Sequence, residues 1–292
     1  MRWGRIPLRR CHLKVYFFAT GFGSVAKGLF VQGADWGNVR FPILSVLIER
    51  DNDLVLFDTG IGTRIDQEMR PPLYWGNLFF HRCIMRTQFM PQRDTLVHQL
   101  QRLGFQPSDV KNVIISHLHW DHAGGMRDFP DAHFIINRKE WNFATQLAGV
   151  QLYKNAFIKE QFCESGLDIE LIETDPRKPF KNFSASYDLF GDGSMVLIDM
   201  PGHSPGLMGL YVIMPSGRRF LFSADTFYFP EGLEQRIPKS KLMQSLVSEG
   251  PEAGSSIDRV YELMNSDPEL EIVGSHDYRI PGRYELAPVY YQ

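Results

Sequence analysis

The sequence predicts an α/β (α+β) fold in which packed sheets are flanked by helices. Three observations carry this. Short apolar runs rich in β-branched and aromatic residues, closed off by Gly, Pro, Asn or Asp, recur along the chain and read as strands. Other stretches place apolar residues three and four apart and read as helices. The order runs strands, helix, strand, helices, and then repeats. That order suits packed sheets covered by helices better than a doubly wound single sheet.

The elements can be justified in turn. Arg2, Arg5, Arg9 and Arg10 precede an apolar stretch, as in a signal peptide. Lys14 interrupts that stretch, no long apolar core follows and no small-residue cleavage site appears, so 13–20 is expected to be the first strand. Further strands are expected at 43–49 and 54–58. Residues 62–93 then hold Pro71, Pro72, Tyr74, Trp75, Phe79, Phe80 and Phe89 without a clean period. Such a segment serves as a lid, an interface or core packing. A helix over 95–103 aligns Leu96, Val97, Leu100 and Leu103, with Asp94 as the expected N-cap and Gly104 as the stop. Strands follow at 112–116 and 133–137, helices at 140–147 and 153–163, and strands at 195–200, 207–214 and 220–223. A helix over 255–264, capped by Ser255 or Ser256, and a strand at 271–274 complete the chain. All 292 residues are expected to form a single domain, with 62–93 as an irregular aromatic-rich insertion.

Composition narrows the function. A formal charge of −3 gives no field that would gather nucleic acid or an anionic membrane. No run approaches the roughly 20 apolar residues of a membrane span. Cys11, Cys83 and Cys163 are odd in number, far apart and without a CxxC pair, which fits a reducing compartment; a cytoplasmic location is expected. The partner expected is a small molecule, and the aromatic 62–93 segment offers a surface for a homodimer.

The strongest signal is Ser116-His117-Leu118-His119-Trp120-Asp121-His122, which follows the buried-strand pattern Val113-Ile114-Ile115 and precedes Gly124-Gly125. Loops at strand ends are where a rigid scaffold displays chemistry. His117 and His119 are two apart, so an extended backbone points both to one side for one metal. Asp121 and His122 fall where the chain turns and can face a second metal. Imidazole with carboxylate suits zinc, and also iron, cobalt or manganese. Two metals need more donors. His203 in Pro201-Gly202-His203-Ser204-Pro205-Gly206, Asp225 in Ser223-Ala224-Asp225-Thr226 and His276 in Gly274-Ser275-His276-Asp277 each follow a strand and small residues. His12, His81, His98 and His133 lack that context and are expected to be surface or core residues.

This set of motifs, HxHxDH, then PGHSPG, then an Asp after a strand and a late His, resembles the metallo-β-lactamase superfamily, over about Val15 to His276. Phe57-Asp58-Thr59-Gly60 is similar to the family's early Asp-Thr-Gly turn. The resemblance implies an αββα four-layer sandwich of two related halves. It implies His117, His119 and His203 as ligands of one metal, Asp121, His122 and His276 as ligands of the other, and Asp225 bridging them. It implies that Asp58 supports a ligating histidine from behind.

Two such metals, most simply zinc, share an activated water and polarise a carbonyl or phosphoryl oxygen, so the class is hydrolysis. Within the family, Tyr228, three residues after Asp225, and the run from His117 to Gly125 look closest to the quorum-quenching N-acyl-homoserine lactonases. That likeness implies lactone opening. Tyr228 would donate to the carbonyl oxygen and Asp121 would protonate the leaving ring oxygen, beside Asp225. The alternatives on the same scaffold are a phosphotriester, phosphodiester or glyoxalase II-like thioester hydrolase, and then a non-catalytic metal protein. The motif loops carry no Lys or Arg to clamp a phosphate.

Overall fold

The computed structural model describes residues 12–51, 53–69, 79–163, 166–237, 239–246 and 250–292. Its strands are β1 (Leu13–Ala26), β2 (Asn38–Arg50), β3 (Asp53–Phe57), β4 (Val110–Ile115), β5 (His133–Asn137), β6 (Asp168–Ile172), β7 (Ser186–Asp188), β8 (Met195–Asp199), β9 (Met208–Ile213), β10 (Arg219–Ala224), β11 (Leu270–Gly274) and β12 (Tyr290–Tyr291). They form a seven-stranded sheet in the order β12-β1-β2-β3-β4-β5-β6 and a five-stranded sheet in the order β11-β10-β9-β8-β7. The strands from β3 to β6 are parallel neighbours, and so are β10 and β11.

Alternation along the strands builds the layers. Val15, Phe17, Val46, Ile48, Val55, Phe57, Ile114 and Ile135 face one buried cluster, together with Leu197, Leu210 and Phe222 of the other sheet. Their neighbours Tyr16, Phe18, Leu47, Leu54, Leu56, Val113, Ile115, Phe134 and Ile136 face a second cluster. There Leu96 and Leu100 of the helix Leu96–Arg102 and Ala144 of the helix Arg138–Gln146 cover the sheet. The period of two sends every second residue to the opposite face. Ile257, Val260 and Leu263 of the helix Ala253–Ser266 pack on the first cluster. The layers therefore run helix, sheet, sheet, helix, the expected αββα sandwich.

Several local expectations are corrected. Asp94 does not cap the helix Leu96–Arg102. It closes a separate turn, Pro91–Asp94, and its carboxylate accepts the Met90 N–H at 2.8 Å, while Thr95 holds the N-cap backbone. Gly104 does end the helix, at φ +87°. The expected helix over 153–163 is broken into Val150–Lys154 and Lys159–Phe162. Ala156 between them turns to φ +54°, and its carbonyl accepts the Trp120 N–H at 3.1 Å, so a tertiary contact interrupts the helix. Neither Ser255 nor Ser256 caps the helix Ala253–Ser266; the cap is Glu252, and Ser256 donates to the Pro201 carbonyl at 2.6 Å. Strands β6, β7 and β12 lie outside the expected set. Asp and Glu alternate with the apolar residues of β6, and the other two have only three and two residues. Pro71, Pro72, Tyr74 and Trp75 lie outside the described residues, as do Arg2, Arg5, Arg9, Arg10 and Cys11. No helix among the described residues is long and apolar enough to cross a membrane.

Candidate metal centre

Both sheets deliver their strand ends to one place. β4 leads into the loop with His117, His119, Asp121 and His122, and β8 into the loop with His203. β10 leads to Asp225 and β11 to His276. The Met208 N–H donates to the Ser116 carbonyl at 3.0 Å and ties β9 to the β4 loop. Asp58, just after β3, and Ala224, just before Asp225, hold φ +61° and +47°. Non-glycine residues adopt that region at a cost, and the cost is characteristic of functional turns.

All seven expected donors come together, and all are buried. His119 Nδ1 lies 3.1 Å from His117 Nε2 and 3.0 Å from His203 Nε2. Asp225 Oδ1 lies 3.2 Å from His122 Nε2, and Asp225 Oδ2 lies 3.2 Å from His276 Nε2 and 3.4 Å from His203 Nε2. His276 Nε2 is 3.5 Å from Asp121 Oδ2. Three overlapping donor groups result: His117-His119-His203, His117-His122-Asp225 and Asp121-His122-His276.

This spacing fits metal ions. Donors at about 2.0–2.1 Å from a tetrahedral zinc stand about 3.3 Å apart. His119 Nδ1 carries one proton at most, so it cannot serve two ring nitrogens as donor to both. His122 Nε2 and Asp225 Oδ1 are buried and lack an aligned hydrogen bond although they face each other. A cation between them would satisfy both, and buried polar atoms are seldom left unpaired.

The opposite ring nitrogens are also engaged. His122 Nδ1 is 2.8 Å from Asp58 Oδ2, which places Asp58 directly behind that ring, and Asp58 also accepts the Ser116 N–H and O–H, each at 2.7 Å. His117 Nδ1 is 3.0 Å from Ser116 Oγ, and His276 Nδ1 is 3.0 Å from the Pro42 carbonyl. His203 Nδ1 is 2.7 Å from Lys239 Nζ. This lysine comes from outside the motif loops, which themselves carry no Lys or Arg. Arg279 instead pairs with Asp277 and Glu234.

Burial drives most of the electrostatics. It holds the His117 and His203 rings well below the usual imidazole range and lowers His119 to about 3. For His122, burial opposes the charge, but Asp225, Asp58 and Asp121 outweigh it and raise the ring well above that range. Asp225 and Asp121 raise His276 in the same way against burial. Burial would raise Asp225, yet His276 and His122 hold it well below the usual carboxylate range. Burial raises Asp121.

Above the cluster lies a recess open to solvent. Its walls are mostly apolar, with Phe30, Phe41, Met85, Trp120 and Phe229 beside Tyr228. The Tyr228 ring centre is 5.6 Å from that of His203 and 6.3 Å from that of His276. Of the 62–93 segment, Met85 reaches the recess, Phe89 is partly buried against the apolar layer that includes Met85, Phe41 and Trp120, and Phe79 is exposed. The remaining histidines stand apart. His98 contacts Thr95, His133 lies between Asp168 and Glu170, and His81 packs on Trp120 with ring centres 4.8 Å apart. Two residues near the site had no sequence signal, Lys239 and Glu140. Glu140 looks like an ordinary acid in the first turn of a helix, but it is fully buried and accepts the Leu118 N–H at 3.0 Å.

The family model described as the metallo-beta-lactamase superfamily matches residues 38–276. A probable metallo-hydrolase of Mycobacterium tuberculosis is 30% identical over 250 residues, covering 83% of this chain and 76% of the relative. The N-acyl homoserine lactonase AttM of Rhizobium radiobacter is 26% identical over 263 residues, covering 89% of this chain and 90% of its own. Among solved structures, an N-acyl homoserine lactone hydrolase with the product N-hexanoyl-L-homoserine bound at the catalytic metal center superposes with a TM-score of 0.74. That pair is 24% identical over 95% of this chain and 98% of the other.

Proposed function

Because the chain belongs to the metallo-beta-lactamase superfamily, we propose that it is a metal-dependent hydrolase that opens a lactone ring, an N-acyl homoserine lactone or a close relative. One observation carries this reading: two buried donor sets meet at Asp225 on the floor of an apolar recess that Tyr228 also lines. Relatives named as N-acyl homoserine lactonases support the substrate class.

In this reading His117, His119 and His203 hold one divalent ion, and Asp121, His122 and His276 hold the other. Asp225, whose carboxylate lies against His122, His276 and His203, would be shared between the two. Zinc fits the donor set, as iron, cobalt or manganese would. Such ions, when bound, polarise a carbonyl and lower the pKa of water to about 7. The chain's own residues do the rest. The Tyr228 O–H donates to the carbonyl oxygen as negative charge develops there. Asp121 would take the proton that the attacking water gives up and pass it to the departing ring oxygen. Asp58 fixes the His122 ring through Nδ1. Phe30, Phe41, Met85, Trp120 and Phe229 exclude water and cover an acyl chain. The recess walls present no Arg or Lys among the described residues, which favours an uncharged ester over a phosphomonoester or phosphodiester.

The test is proton release by zinc- or cobalt-loaded protein with short- and long-chain N-acyl homoserine lactones. A nitrophenyl phosphotriester and a glutathione thioester run in parallel. Lactones are expected to open fastest. Loaded protein that leaves lactones intact and cleaves one of the other two esters transfers the assignment to that ester.

A further inference from the structure

Glu140 lies behind the metal-binding loops and outside the recess. It occupies the first turn of the helix Arg138–Gln146, directly after β5, and its exposure is 0%. Oε1 accepts the Leu118 N–H at 3.0 Å; Oε2 accepts the Gly206 N–H at 3.0 Å and the Ser204 O–H. Leu118 stands between His117 and His119, and Ser204 follows His203. One carboxylate thus joins a loop fed by the seven-stranded sheet to a loop fed by the five-stranded sheet.

The fit is close. A Cβ on Gly206 would stand 2.3 Å from the Glu140 backbone nitrogen, so the loop reaches the helix only with glycine at that position. An acid in the first helical turn is commonly explained by the helix dipole, and such residues face water. This one is turned inward, where a carboxylate is costly unless donors surround it. The three donors adjoin histidines of one set: Leu118 stands between His117 and His119, and Ser204 and Gly206 follow His203. The other set is tied elsewhere, His122 to Asp58 and His276 to the Pro42 carbonyl.

We propose that Glu140 is a positioning residue that fixes the His117-His119-His203 donor set by clamping the two loops that carry it. The proposal rests on the reading of the cluster as a two-metal centre. Glutamine keeps the shape but not the function. Oriented with its oxygen toward Gly206, it sets its amide group against the Leu118 N–H; oriented the other way, it opposes the Gly206 N–H.

The experiment is a cobalt(II) titration of metal-free protein, followed by ligand-field absorption, with circular dichroism of each variant. His203→Ala marks the equivalent that belongs to the three-histidine set, and His276→Ala marks the other. The parent is expected to bind two equivalents. Glu140→Gln, with the parent's circular dichroism, should weaken the His203-dependent equivalent about 10- to 100-fold and leave the other within about twofold. Ser204→Ala keeps the carboxylate and removes one donor, so the same equivalent should weaken about 3- to 10-fold. If Glu140→Gln does not fold, Ser204→Ala decides. Parent-like titrations, or equal weakening of both equivalents, overturn the proposal alone. A parent that binds fewer than two cobalt ions overturns the two-metal reading and this proposal with it.

Discussion

The two donor sets that meet at Asp225 are both buried and both rich in histidine, three rings in one and two rings with Asp121 in the other, yet they are electrostatic opposites. His117, His119 and His203 are held neutral by burial, with Lys239 adding to the effect on His203. His122 and His276 face Asp225, Asp121 and, for His122, Asp58, and these carboxylates shift both rings toward the protonated form. The first set stands ready for a cation without losing protons. The second is a network of ion pairs whose protons a cation must displace. Burial alone therefore does not set the character of a histidine cluster; the carboxylates within reach decide it.

Changes at the shared residue should have the largest effect. Outer partners of metal ligands are worth about 10- to 100-fold in affinity or activity, so Asp225→Asn, which alters a donor common to both sets, should cost more than about 100-fold in kcat/KM. Steady-state hydrolysis with elemental analysis would check this, and a variant with parent activity would remove Asp225 from the centre. Tyr228→Phe should lower kcat by about 100-fold with metal content unchanged, since a single oxyanion donor has roughly that value. Equal activity would assign Tyr228 to packing. Asp58→Asn should weaken cobalt binding about 10- to 100-fold at the His276-dependent equivalent. Loss at the His203-dependent equivalent instead would erase the distinction between the sets.

The contrast also predicts a pH dependence for the metal-free protein. The folded-state values of His117, His119 and His203 lie below the unfolded imidazole value of about 6.5. Their contribution is full above that pH and is lost as pH falls from about 6.5 toward the His119 value of about 3. His122 and His276 act with the opposite sign. Their contribution is full below about 6.5 and is lost as pH rises through their raised values. Urea unfolding of metal-free protein should therefore show decreasing stability on both sides of a maximum, and His276→Asn should reduce the alkaline loss. An alkaline limb unchanged in that variant would contradict the assignment. The smallest effect is expected away from the centre. His133 is raised by Glu170 and Asp168 on the surface, so His133→Gln should cost less than about 1 kcal/mol, and only below the raised value. A larger loss, or any change in metal binding, would show coupling to the site.

Much of this was legible in the sequence, and particular residues show why. Strands at 43–49 and 54–58 could be read because alternate residues face two separate buried layers, as Val46 and Leu47 do. The donors could be read because four fall within His117 to His122, and the others each follow a strand with small residues. Glu140 could not, because its role depends on two loops that meet only in the folded sandwich. Lys239 lies 36 residues from His203, and nothing local marks the approach. The cap at Asp94 and the helix over 153–163 failed for a related reason: the Pro91–Asp94 turn and the Trp120 contact at Ala156 override local propensity.

The central claim is that both donor sets are occupied together. An anomalous-scattering map from crystals of zinc-loaded protein tests it directly. The account predicts two peaks about 3.5–4 Å apart on either side of Asp225, one among His117, His119 and His203 and one among Asp121, His122 and His276. A single peak at full loading, or none among these side chains, would contradict it.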